Sequence, residues 1–235
     1  MLGPSLRRAI VAVPICVSLL PPAGCGRPAS REAGPSLQAP PPGLEFLPPA
    51  PGSYELPVIQ TAADGDVLDT TGGAHRLFDY IGGRFALLSF VYTHCSDGRG
   101  CPFATATMRQ VREQLAEDPA LAGQVRLITL SFDPERDTPD RLRGYAGTGG
   151  DDGSWVFLTT ASNRELQPIL DGYGQYIVPE ADEQGRFTGS FKHVLKVFLI
   201  DRQRRVRNIY STSFLHPVLV TNDIRTLLMA EAKAS

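Results

Sequence analysis

The sequence predicts an α/β fold in which one central sheet is covered by helices on both faces. The first observation is a continuous apolar run over residues 84–92, "RFALLSFVY", which is typical of a strand buried on both sides. The second is the alternation of strand-like and helix-like segments after this run. The third is a composition with 42% hydrophobic and 20% charged residues, which allows one substantial core in a chain of this length.

Local patterns predict the individual elements. Residues 56–60 and 66–70 flank an Asp-Gly turn and predict an N-terminal β-hairpin. Pro102 suits the first position of a helix over residues 102–118, and Thr138 before Pro139 suits the start of another. The other predicted elements are a helical turn at 75–83, strands at 84–92, 124–133, 154–160, 193–201 and 204–211, helices at 138–146, 161–174 and 216–232, and a long polar loop at 175–191.

The first 53 residues predict an export signal and a tether rather than part of the fold. Arg7 and Arg8 precede an apolar stretch at residues 9–20, which is too short for a membrane-spanning helix and suits a secretory signal. The stretch ends in "PAGC", which resembles a bacterial lipoprotein cleavage site with Cys25 as the acylated residue. An uncleaved N-terminal anchor is the alternative. Cys16 is interpreted as a small apolar residue of the signal.

These features divide the chain into three predicted parts. They are a signal at residues 1–25, a proline-rich tether at 26–53 and one folded domain at 54–235. The domain is therefore expected on the periplasmic face of a bacterial membrane, an oxidising compartment in which disulfides persist. The net charge of −2 and the lack of a dense Lys/Arg segment exclude nucleic acid as a partner.

Cys95 and Cys101 in "THCSDGRGCPFA" are the main candidates for chemistry. They are a redox pair, a metal site or a structural disulfide. A structural disulfide would close a short loop and add little stability, so a chemical role is favoured. Because the partial positive charge of a helix N-terminus stabilises a thiolate, Cys101 is expected to ionise more easily than a free thiol.

Three segments resemble the Sco/SenC family. They are "FVYTHC" with "CPFAT", then "SFDPERDTPDRL", and then the histidine of "KHVLKVFLID", within residues 54–232. The resemblance implies a thioredoxin-like fold, a membrane tether and a copper site made of Cys95, Cys101 and His193. It also implies a role in assembly of the copper centre of cytochrome c oxidase, a membrane protein. In that role the protein would pass copper to an oxidase subunit, act as a thiol–disulfide reductant, or do both.

The sequence departs from the family at the cysteine spacing. The usual pattern is C-x-x-x-C-P, whereas five residues separate Cys95 from Cys101. A longer loop could relax a three-ligand site, change the metal affinity or favour redox exchange over copper carriage. The resemblance also implies that Asp133 lies close to the copper loop, where it would orient the site or contact a partner.

The other histidines have weaker patterns. His94 is adjacent to Cys95, and adjacent side chains diverge in an extended segment, so His94 is expected outside the cysteine site. His75 and His216 belong to no recognisable motif.

Two functions from different classes remain open at this stage. The first is a copper-binding assembly factor, which His193 favours. The second is a thiol–disulfide oxidoreductase in which one cysteine attacks a partner disulfide and the other resolves the mixed disulfide, which the widened spacing favours. A peroxide-reducing enzyme is a third and weaker option.

Overall fold

The computed structural model describes residues 39–147 and 150–234. The predicted signal, Cys16, Cys25 and the predicted tether up to residue 38 lie outside these described residues. None of the described helices is both long enough and apolar enough to cross a bilayer.

Ten strands and five helices are formed within the described residues. The strands are β1 (Gln60–Thr61), β2 (Asp66–Leu68), β3 (Ala74–Arg76), β4 (Phe85–Val91), β5 (Val125–Ser131), β6 (Trp155–Leu158), β7 (Ile177–Ala181), β8 (Phe187–His193), β9 (Val197–Ile200) and β10 (Arg205–Tyr210). The helices are α1 (Leu77–Tyr80), α2 (Cys101–Glu117), α3 (Pro139–Ala146), α4 (Asn163–Tyr173) and α5 (Pro217–Ala234).

The central sheet has six strands in the order β1-β10-β9-β4-β5-β6. Strands β4, β5 and β6 are parallel, whereas β9 is antiparallel to β4 and β10 is antiparallel to β9. Every residue of β4 is buried, because this strand lies in the middle of the sheet with apolar layers on both faces. The predicted α/β architecture is therefore confirmed.

Helices cover the two faces of the sheet. On one face, Met108 and Val111 of α2 and Ile224 of α5 pack in the same cluster as Leu87 of β4. On the other face, Leu166 and Ile169 of α4 and Leu77 of α1 pack with Leu88 and its neighbours. The side chains of Thr138 and Ser162 cap the starts of α3 and α4, as helix-capping hydroxyls do.

Two predicted elements are wrong in their pairing or type. Residues 56–60 do not pair with residues 66–70, because β1 joins the edge of the central sheet beside β10 and β2 forms its hairpin with β3. The predicted polar loop at 175–191 contains most of a hairpin, β7–β8. His193 ends β8, and the next strand of the central sheet begins only at Val197.

A segment before β1 packs along α5. The Nδ2 of Asn222 donates to the carbonyl of Pro49 at 3.1 Å, and the amide of Gly52 donates to Oγ1 of Thr226 at 3.0 Å. The Nε2 of His216 lies 3.1 Å from the carbonyl of Pro42. The part of the predicted tether that the structure describes is therefore hydrogen-bonded to the domain.

A buried carboxylate ties this segment, β10 and α5 together. Asp223 accepts hydrogen bonds from the hydroxyls of Tyr54 at 2.5 Å and Tyr210 at 2.6 Å, and from Nδ2 of Asn208 at 2.7 Å. Burial and then the Asp223 carboxylate raise the pKa of Tyr54 to about 12. Burial and then Asp223 also raise the pKa of Tyr210 well above its ordinary value, so both tyrosines remain donors at neutral pH.

We expect Asp223→Ala to lower the free energy of unfolding by about 3 kcal/mol, because it leaves the buried Tyr210 hydroxyl and Asn208 amide without their acceptor. Urea denaturation of both proteins measures this difference. Arg225→Ala is the matched control on the same helix, since it removes a half-exposed ion pair with Asp118. Equal decreases in the free energy of unfolding for the two substitutions would contradict the role of Asp223 as a buried hydrogen-bond acceptor.

Candidate metal centre

The cysteine loop lies between β4 and α2, at the C-terminal end of the central strand. The amide of Cys95 donates to the carbonyl of Tyr92 at 3.3 Å, and Cys101 is the first residue of α2. The amide of Gly100 donates to the carbonyl of Asp97 at 2.9 Å, and the amide of Arg99 donates to Oδ1 of Asp97 at 3.0 Å. A tight turn with two internal hydrogen bonds thus accommodates the longer spacing.

The two cysteines differ in exposure, and both are free thiols. Cys101 is 1% exposed, whereas Cys95 is half-buried. A Cβ atom placed on Gly100 would lie 3.4 Å from Sγ of Cys95, so the turn brings the Cys95 sulfur back towards the start of α2. The glycine keeps this approach open.

The expectation that Cys101 ionises easily is wrong. Burial raises the pKa of the Cys101 thiol well above its ordinary value, and the neighbouring Cys95 adds to the rise. Hydrogen bonds from the backbone favour the thiolate, but the cost of removing a charge from water is larger here. Cys101 is therefore a protonated thiol at neutral pH in the metal-free protein.

His193 reaches this loop from the end of β8. Its Nε2 lies 3.9 Å from Sγ of Cys101, although 92 positions separate the two residues. Its Nδ1 lies 3.2 Å from the carbonyl of Phe191. Because a carbonyl only accepts, Nδ1 donates this hydrogen bond, and Nε2 is the ring nitrogen that faces the sulfur.

Aromatic rings surround His193. Its ring centroid lies 5.9 Å from that of Tyr92 and 5.0 Å from that of Phe132. Phe191 packs against both of these rings, at 5.2 and 5.5 Å. Burial, followed by the nearby Cys95, raises the pKa of Tyr92 to about 12, so its hydroxyl is neutral. The side chains beside the imidazole are therefore mostly apolar and uncharged.

Reasoning from the sequence missed Phe132 and Phe191. Phe191 stands two positions before His193, and residues two apart share a face of a strand. This signal was available, but only if residues 187–193 had been assigned to a strand rather than to a loop.

The "DPERDTP" segment lies against the cysteine loop. Asp137 is buried and accepts from the amide of Thr93 at 2.9 Å and from Oγ of Ser131 at 2.6 Å. Asp133 is also buried and forms an ion pair with Arg136, with Nε and Oδ2 2.5 Å apart. Burial raises the pKa of Asp133, and the Arg136 guanidinium opposes that rise.

The remaining histidines contact other groups. Nε2 of His94 lies 2.7 Å from Nη2 of Arg141, which only donates, so His94 accepts there. Ligand atoms of His94, Asp133 and Asp137 lie within 4.8 Å of one another, but each of these residues already has a protein partner. His75 contacts Asp69 at 3.1 Å, and the contact of His216 is with the segment along α5.

A groove of about 630 Å³ opens beside the two cysteines. Pro102 and Thr105 of α2 and Tyr145 of α3 contribute to its walls. Cys95 and Cys101 line this groove, so a side chain of another protein can approach the sulfurs from there.

The donor set suits copper. Thiolates are soft ligands that select Cu(I), and imidazole binds copper in both of its oxidation states. Nε2 of His193 faces Sγ of Cys101, and a cysteine binds a metal as the thiolate, so a protonated thiol loses its proton on binding.

Comparisons with known proteins identify one matching family model and several relatives. The family model SCO1/SenC matches residues 64–229. The chain is 30% identical over 122 residues to a SCO1 protein homolog of Bacillus subtilis and 30% identical over 113 residues to a protein of Stutzerimonas stutzeri. These alignments span 61% and 50% of those relatives' own lengths and 51% and 46% of this chain.

Three solved structures are similar over most of the domain. ScoI of Arabidopsis thaliana with copper bound has a TM-score of 0.61 and 18% identity, covering 72% of this chain and 99% of that one. BsSco, described as carrying a disulfide switch and as a member of a family of cytochrome c oxidase assembly proteins, has a TM-score of 0.56 and 22% identity, covering 73% and 97%. A SCO1/SenC family lipoprotein of Bacillus anthracis has a TM-score of 0.58 and 20% identity, covering 72% and 95%.

These matches confirm the predicted thioredoxin-like α/β fold. The matched family segment contains Cys95, Cys101 and His193 and extends over more than half of the sequence. The chain therefore belongs to the SCO1/SenC family.

Proposed function

We propose that this protein binds one copper ion through Cys95, Cys101 and His193 and passes it to a membrane copper protein, a subunit of cytochrome c oxidase, during assembly of the oxidase. The observation that carries the proposal is the position of Nε2 of His193, which lies 3.9 Å from Sγ of Cys101 while Nδ1 contacts the carbonyl of Phe191. Relatives described with bound copper, or as oxidase assembly proteins, support it.

The unequal exposure of the two cysteines suits a carrier rather than a permanent holder of copper. Cys101 and His193 form the inner part of the site, beside the aromatic rings. Cys95 is half-buried and lines the groove together with Cys101. A ligand of the recipient that enters the groove would displace Cys95 first, because this sulfur is the more accessible of the two.

We also propose that the protein is exported and attached to the periplasmic face of the membrane. The support is the signal-like sequence with Arg7 and Arg8, the "PAGC" motif that ends at Cys25, and the similarity to a family lipoprotein of Bacillus anthracis. Attachment through a lipid on Cys25 would keep the domain near a membrane-embedded recipient, and so would attachment through the uncleaved segment.

Thiol–disulfide exchange is the second candidate function. The two free thiols and the BsSco structure with its disulfide switch favour it. In that reaction Cys95 would attack a partner disulfide, and Cys101 would then resolve the mixed disulfide. The pair loses two electrons and two protons as its own disulfide forms, and the partner gains them as two thiols.

We expect the reduced protein to bind one Cu(I) ion tightly and Cys95→Ser or Cys101→Ser to abolish tight binding, because each removes a thiolate. We expect His193→Ala to weaken Cu(II) binding and remove nitrogen coupling from the EPR spectrum, yet to leave Cys95–Cys101 disulfide formation intact. Titration with a competing chelator measures the copper affinities, and EPR measures the nitrogen coupling.

His94→Ala is the matched control, because its ring contacts Arg141 rather than the sulfurs. Unchanged Cu(II) affinity in His193→Ala would remove this histidine from the site. A wild-type protein that binds no copper but cycles its disulfide would favour the second function.

We expect Cu(I) affinity to fall as the pH is lowered. Burial raises the pKa of the Cys101 thiol, so this thiol is protonated at neutral pH and copper must displace its proton. Affinity should change by about tenfold per pH unit for each proton released. Chelator competition at a series of pH values from about 6 to 8 measures the slope. An affinity independent of pH would contradict binding through Cys101.

A further inference from the structure

The position of His193 depends on a hairpin that stands outside the central sheet. Within the described residues, β7 and β8 pair with each other as a separate two-stranded sheet, with Ile177 opposite His193. At its base, Nε2 of Gln175 donates to the carbonyl of Val194 at 3.0 Å. The backbone hydrogen bonds of the central sheet therefore do not fix the hairpin, and side-chain contacts must hold His193 near Cys101.

Arg136 makes several of these contacts. Its Nη2 donates to the carbonyl of Gly189 on β8 at 2.9 Å, while its Nε donates to Oδ2 of Asp133 at 2.5 Å. The carbon of its guanidinium lies 4.9 Å from the ring centre of Phe187 and 5.5 Å from that of Phe191. One side chain thus contacts three residues of β8, including the residue whose carbonyl orients His193.

The loop that carries Arg136 is itself attached to the cysteine side of the site. The amides of Arg136 and Asp137 donate to the carbonyl of Asp133 at 3.1 and 2.8 Å. The carboxylate of Asp137 accepts from both the amide and the hydroxyl of Thr93, two positions before Cys95. Arg136 therefore connects a part of the chain fixed to the cysteine loop with the strand that ends in His193.

The backbone at Gly189 is adapted to this contact. Its φ is +92°, and a Cβ atom there would lie 3.0 Å from Nη1 of Arg136. A larger residue would be strained and would displace the guanidinium. A lysine at position 136 would not reproduce the contact, because an ammonium group lacks the planar fork that donates to two acceptors while it stacks on rings.

We propose that Arg136 is a positioning residue for the metal site. By linking Asp133 to Gly189 and stacking on Phe187 and Phe191, it holds β8 so that the Phe191 carbonyl orients the imidazole of His193 towards Cys101. The expected effect of Arg136 on copper binding rests on the proposed copper function. Its expected effect on the position of His193 does not, because that effect is measured in the metal-free protein.

The test compares Arg136→Met with Arg186→Met. Arg186 lies on the same hairpin and forms an exposed ion pair with Asp182, so its loss removes an arginine charge without altering contacts to Gly189 or Phe191. In the metal-free protein, nitrogen NMR of His193 reports whether Nδ1 alone carries the proton, and hydrogen exchange reports the opening of β8.

We expect Arg136→Met to give a mixture of His193 tautomers and faster exchange in β8, and Arg186→Met to retain the wild-type pattern near His193. In the copper-loaded protein, Arg136→Met should weaken Cu(II) binding by about tenfold or more, as loss of groups that orient metal ligands does. Its Cu(I) affinity should change less, because the two thiolates remain. Arg136→Lys should lie between Arg136→Met and the wild-type protein in these measurements.

A single Nδ1-protonated tautomer and wild-type exchange in Arg136→Met would overturn the proposal, and so would equal effects of the two methionine variants. If the wild-type protein bound no copper, the proposed function would fail, whereas the measurements on the metal-free protein would still decide the role of Arg136.

Discussion

The site depends on the hydrogen bond between Nδ1 of His193 and the carbonyl of Phe191. This bond occupies Nδ1 and turns the other imidazole nitrogen, Nε2, towards Sγ of Cys101. Without it, the cysteine loop would present two thiols of unequal exposure, as a redox protein does. Under the proposed function, the same loop supplies two of the three copper ligands, and the hairpin that carries His193 is as important as the loop.

The widened cysteine spacing is compatible with this arrangement. The turn from Asp97 to Gly100 uses its own backbone and the Asp97 side chain to satisfy its hydrogen bonds. The extra residues therefore extend the exposed part of the loop, while Cys101 still occupies the start of α2. Both cysteines line the groove, and burial of Cys101 leaves Cys95 as the more accessible of the two.

The sequence was sufficient for the central strand, because seven consecutive buried residues in β4 produce a pattern that no exposed element shares. The choice of Cys95, Cys101 and His193 as ligands came only through the family resemblance, and it stays a prediction. The sequence could not predict β7–β8, since every residue of these two strands is at least partly exposed and the strands show no alternation of buried and exposed positions. It could not predict the raised pKa of Cys101 either, because that effect comes from residues distant in sequence that bury the thiol.

The central claim is that Cys95, Cys101 and His193 bind one copper ion together despite the five-residue spacing. X-ray absorption spectroscopy of the copper-loaded protein tests it most directly, because it counts the sulfur and nitrogen neighbours of the metal. We predict two sulfur ligands and one imidazole nitrogen, with the imidazole contribution absent from His193→Ala. A copper ion with a single sulfur ligand, or with an identical spectrum in His193→Ala, would contradict the account.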